Sequence, residues 1–142
     1  MIIERRQDEE RLRYWRQELA RHVYISAGEV AFEGFFTRER LTPEQAEKRV
    51  MQPCPPGTAW GNCWEYGWFR GDFVCPAQAA GQRLMLATGL GGEQLVYVNG
   101  RAAGSEDSRH SHVLLTREAS AGESFHLLAE SYAGHGLRLE SL

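Results

Sequence analysis

The spacing of apolar positions changes character once along the chain, and that change divides the protein. From Glu4 to about Val23, Leu12, Trp15, Leu19 and His22 recur at steps of three and four among Arg, Glu and Gln, which predicts an amphipathic helix with a narrow apolar stripe. Glu9 and Arg13 form an i, i+4 pair worth only about 0.3–0.5 kcal/mol, so the helix needs something to lie against. Two readings of the stripe stand side by side: a docking surface for a neighbouring domain or subunit, or a helix laid on its own sheet.

Beyond Val23 the period shortens. Val23, Tyr24, Ile25, Val30, Phe32, Phe35 and Phe36, broken by Ala27-Gly28 and Gly34, predict one or two short strands. From Leu41 to Arg49 a short polar helix interrupts them, with Thr42 as N-cap, Pro43 at its first position and Pro53, Pro55 and Pro56 barring its extension. This insertion is expected to be surface decoration. Trp64 to Val74 then predicts a strand stopped by Cys75-Pro76. Trp64, Tyr66 and Trp68 share one face while Gly67, Phe69 and Phe73 share the other, so both faces carry bulky side chains. Gly67 and Gly71 are candidate bulges.

Further apolar runs follow at Arg83–Ala87, Gln94–Val98, His112–Thr116 and Ser124–Ser131. Asn99-Gly100 after Val96-Tyr97-Val98 is a strong hairpin signal, because a type I′ turn needs positive φ at both central residues. Short strands at roughly ten-residue spacing, without a βαβ alternation, predict a mainly β protein. The expected fold is an antiparallel β-sandwich of the jelly-roll type with an N-terminal α-helix and a short helical insertion.

Composition removes several function classes. The 142 residues fit one globular domain, and a net charge of −3 offers no footprint for nucleic acid or an anionic membrane. The charged N-terminus has no apolar run of signal or spanning length behind it, so a cytoplasmic chain is expected. Cys54, Cys63 and Cys75 form an odd set whose spacings fit neither a disulfide framework nor paired zinc ligands. Gly89 to Gly92 precedes a strand rather than a helix and so forms a turn, not a phosphate cradle. Asp107, His110 and His112 put two imidazoles and a carboxylate in one polar loop, too few ligands for a metal site. Glu65, Glu93, Asp107 and Glu130 are scattered, with no spacing that pairs two of them for glycoside hydrolysis.

The richest stretch is Pro55 to Phe73, with Trp60, Trp64, Trp68, Tyr66, Phe69 and Phe73. Such a cluster is either a core or a stacking platform for a flat ligand. The two-sided strand tips the balance towards core and interface, and leaves Trp60 and its loop facing sugar, solvent or another domain.

Trp60-Gly61, the run Trp64 to Gly71, Val98-Asn99-Gly100, Asp107 with His110, Leu114-Leu115-Thr116 and Ala129 to Gly134 together resemble the N-terminal domain of bacterial and cytosolic α-mannosidases of glycoside hydrolase family 38. The similarity runs from about Leu41 to Gly136. It implies a galactose-binding-like sandwich standing before the catalytic domain of a retaining exo-mannosidase. It also implies that the zinc and the nucleophilic Asp belong to that downstream domain, so this chain is expected to hold no cofactor and to catalyse nothing alone.

On this basis residues 1–23 are expected to form the helix, 24–136 the sandwich, and 137–142 the start of a linker to the catalytic domain. The expected partner is that domain, docked through the helix stripe and the aromatic surface. The alternative is a carbohydrate-binding module, with Trp60, Trp64 or Tyr66 stacking on mannosides. Asp107 and His110 are expected at the interdomain contact. An edge strand left open would also allow a homo-oligomer.

Overall fold

In the computed structural model, residues 2–135 are described, with side chains from Gln7 onwards; the expected linker 137–142 lies outside them. A six-stranded antiparallel sheet has the order β2 (Gln52–Pro53), β1 (Glu33–Thr37), β3 (Tyr66–Val74), β8 (Ser124–Tyr132), β5 (Glu93–Val98), β6 (Arg101–Glu106). A second sheet pairs β4 (Leu84–Leu86) with β7 (Val113–Thr116). Asn99 and Gly100 both have positive φ (49° and 78°) and turn β5 back into β6, as their sequence requires.

β3 and β8 form the spine, paired without a register break from Tyr66↔Tyr132 to Val74↔Ser124. Alternation along them supplies two cores. Phe69, Leu127, Ala129 and Val96 pack inward against Leu84, Leu86 and Val113 of the two-stranded sheet. Trp68 and Leu128, on the opposite face, pack against Ala46 and Met51. Each large side chain removed from water stabilises by about 1.5–3 kcal/mol, so both faces contribute.

The insertion is therefore more than decoration. α2 (Pro43–Glu47) is closed by a capping box, Thr42 Oγ1 accepting from Gln45 N and Gln45 Oε1 accepting from Thr42 N, and its fully buried Ala46 seals the outer core. The sequence marks the helix ends but not the face the helix covers.

Of the one or two strands expected after Val23 one forms, β1, while Ile25 is 91% exposed and Tyr24 stacks on His112 at 4.2 Å. Two other expectations change. Trp64 does not start the strand: with φ of 65° it lies in the turn before β3. Gly67 and Gly71 are not bulges but places of close approach. A Cβ on Gly67 would come within 2.7 Å of the Phe69 ring, and one on Gly71 within 2.6 Å of Val30.

α1 (Ile2–His22) bears the expected stripe, and Leu12, Trp15 and Leu19 are all exposed. The helix is not laid on the sheet by that face.

The tightest spot against the spine is Gly34 of the neighbouring β1, where a Cβ would stand 2.5 Å from the Trp68 carbonyl oxygen and 2.9 Å from Phe69. Backbone blocks it, so the sheet itself must shift. Gly34→Ala is expected to destabilise by about 1–3 kcal/mol in urea unfolding, the usual range for overpacking; a midpoint equal to that of the parent chain would refute this packing.

Candidate functional site

The outer face of the large sheet divides in two. α2 covers the half near Trp68, and the other half, where β3 begins and β8 ends, carries half-buried tyrosines beside exposed aromatic and charged groups. Across this end Tyr66 and Tyr132 face each other as a cross-strand pair with ring centroids 4.9 Å apart. Arg40 Nε donates to the Tyr66 hydroxyl at 3.3 Å. Tyr132 Oη and His135 Nδ1 are 2.8 Å apart, and the His135 ring lies 4.2 Å from that of Trp64.

The turn that presents Trp64 is built by Glu65. Its Oε2 accepts the backbone N–H groups of Gly61 (3.0 Å) and Asn62 (2.8 Å), while Trp64 N–H donates to Gly134 O and Ala133 N–H to Glu65 O. These bonds tie the segment before β3 to the segment after β8. Trp64 is left 56% exposed on a fixed backbone.

Beside this patch lies a hollow of about 370 Å³, lined among others by Glu93, Leu95, Ser105, Asp107, Glu130 and Tyr132. Glu130 sits opposite Trp68 on one side and Leu95 on the other. Burial pushes its carboxyl above the ordinary range, with Arg40 opposing. On the inner side of the same strand end, Glu106 is 4% exposed; burial raises its pKa too, against hydrogen bonds from Thr88 N and Oγ1.

The five residues singled out from sequence are not all together. Trp64 and Tyr66 belong to the aromatic patch. Asp107 borders the hollow, its Oδ1 accepting from the N–H groups of Arg109 and His110 (both 2.7 Å), bonds that lower its pKa; Asp107 N–H donates back to His110 O. Asp107 and His110 thus close a self-contained turn between β6 and β7. Trp60 stands apart: half-buried, it stacks on Phe36, meets Phe69 edge-on and donates its Nε1–H to Leu90 O at 2.9 Å. Its polar atom is spent inside the sandwich.

Sequence reading missed Arg40, Tyr132 and His135 as members of the patch. Tyr132 lay in a recognisable motif, but its neighbour across the sheet is set by the β3–β8 register, which no local pattern encodes. Among the described residues no group of three His, Cys, Asp or Glu side chains is arranged to hold a metal ion, and no helix is long and apolar enough to cross a membrane.

The architecture is that of a jelly-roll sandwich. Two solved structures of β-glucuronidase from Ruminococcus gnavus share it. One matches at a TM-score of 0.59 with 13% identity over 78% of this chain; the second, in complex with uronic deoxynojirimycin, matches at 0.52 with 16% identity over 77%. The chain spans only 22% and 23% of those two proteins. The family model for the α-mannosidase jelly-roll domain, the first domain of the Ams1-like type, matches residues 23–137, and the chain belongs to that family. No curated protein matched in a sequence search.

Two tryptophans of one stretch thus have opposite situations, and their truncation should separate them. Trp60→Ala is expected to cost about 2–4 kcal/mol by opening a cavity beside Phe69. Trp64→Ala should stay within about 1 kcal/mol of the parent chain. Chemical denaturation of both variants checks this, and equal losses would contradict the assignment.

Proposed function

We propose that this chain is a non-catalytic jelly-roll domain of an α-mannosidase, and that it docks on and supports a catalytic domain through the Trp64–Tyr66–Tyr132–His135 patch. The observation that carries the reading is the family match over residues 23–137 together with an aromatic patch in which Trp64 is exposed and Tyr66 and Tyr132 are half-buried on a rigid backbone. Interface anchors are typically Trp, Tyr and Arg held in place before binding, and Trp64, Tyr66, Tyr132 and Arg40 are such a set. The patch lies at the end of β8, around Tyr132 and His135. On this reading hydrolysis of terminal α-mannosides, and the divalent metal it requires, belong to the catalytic domain. A cytoplasmic location agrees with three free cysteines, one of them, Cys63, exposed.

A second reading has one observation in its favour. The hollow combines Glu93, Glu130 and Asp107 carboxylates with the Tyr132 ring, chemistry suited to sugar hydroxyls and a pyranose face. It would make the domain a carbohydrate-binding module.

Titration with mannose and oligomannosides separates the two. The docking reading expects no change in tryptophan fluorescence or heat at millimolar ligand, and no turnover of an aryl α-mannoside with zinc supplied. Saturable binding that is lost in Glu130→Gln would favour the module instead. In the full-length protein, Trp64→Ala is expected to weaken the domain contact by about 2 kcal/mol, as truncated hot spots do, seen as a lower melting temperature of the whole and not of the isolated chain.

A further inference from the structure

The outer core is held shut by an ionic network whose centre is an imidazole. His126 of β8 places Nδ1 2.7 Å from Asp72 Oδ1 of β3 and Nε2 2.7 Å from Glu47 Oε1 of α2. Neutral imidazole has one donor nitrogen and one acceptor, so only the imidazolium can donate to both carboxylates. The surroundings favour that form. Glu47 also accepts from Arg70 through Oε2 and its backbone oxygen, and Arg70 reaches on to Glu33 of β1. Two carboxylates, Glu33 and Glu47, thus face the guanidinium, and the imidazolium supplies a second positive charge between Glu47 and Asp72. Asn99, at the β5–β6 turn, meets only the His126 backbone, its Oδ1 accepting the N–H.

What this network closes is a lid with a reason to open. α2 covers Trp68, which is fully buried, and among the described residues the Trp68 Nε1–H has no hydrogen-bond partner. A buried unsatisfied donor costs about 1–3 kcal/mol, a cost that admission of water would relieve. α2 is a helix of five residues and contributes little stability of its own. Its attachment at the Glu47 end depends on Arg70 and His126.

We propose that His126 is a protonation-dependent latch: as the imidazolium it fixes the Glu47 end of α2 over Trp68, and on losing its proton it can donate to only one of Glu47 and Asp72, which loosens that end. The hydrogen bonds from His126 to Glu47, and then to Asp72, raise its pKa against the opposing effect of burial. The latch therefore acts fully below about pH 6.5, the ordinary imidazole value, and fails as pH rises through the higher folded-state value. Arg70 remains charged and still holds Glu47, so the release is partial and local.

The test follows the five imidazoles by NMR from pH 5 to 10, with hydrogen exchange of the Ala46 and Arg49 amides corrected for intrinsic rates. His126 is expected to titrate above the ordinary imidazole value of about 6.5, and amide protection to fall severalfold through the same midpoint. His126→Gln, neutral throughout, should show no such step; should that variant fail to fold, Asp72→Asn, at an exposed site, should lower both midpoints together. A His126 midpoint at or below the ordinary imidazole value, or α2 protection unchanged across it, would overturn the latch.

Discussion

The whole structure depends on the burial of both faces of β3. Trp68 and Phe69 are neighbours in sequence, point to opposite sides, and are almost fully removed from water. A strand with one wet face needs one partner layer; this one needs two, and the chain supplies them differently. On the inner side a second sheet closes over Phe69, Leu127 and Val96. On the outer side there is no second sheet, and a five-residue helix with Met51 does the same work over a smaller area. The glycines in and beside the spine follow from the same crowding, since Gly34, Gly67 and Gly71 stand where a Cβ would meet backbone or ring atoms within 3.0 Å.

Incomplete cover on the outer side is what leaves a site. α2 shields the Trp68 row and the Arg70 row, but at the mouth of β3 and the end of β8 Trp64 and His135 remain open beside a half-buried tyrosine pair, held by backbone bonds between residues 61–65 and 133–134. Rigid, amphipathic rings lose little freedom on binding, so they suit a permanent protein contact. The adjoining hollow is lined by carboxylates, and partial burial raises the pKa of Glu130.

Much of the architecture was legible from local chemistry. Asn99-Gly100 dictates its turn, Thr42-Pro43 with Gln45 marks the start of α2, and the alternation of Tyr66 to Phe73 shows that both faces are heavy. What could not be read was long-range pairing. Trp64 looked like the first residue of a strand because its spacing matches Tyr66 and Trp68; the backbone bonds made by Glu65 place it in a turn instead. Trp60 looked like a platform until its N–H was seen to be taken by Leu90 O. The His126–Glu47–Asp72 contact joins residues 79 and 54 positions apart, and no periodicity could announce it.

The central claim is that the aromatic end of the outer face is covered by another domain of the same protein. Hydrogen–deuterium exchange of this chain alone and within the full-length protein tests it most directly. The account predicts slower exchange in the full-length protein at Asn62–Tyr66 and Tyr132–His135, with little change in the hairpin around Asn99. Equal exchange of those segments in the two forms would contradict it.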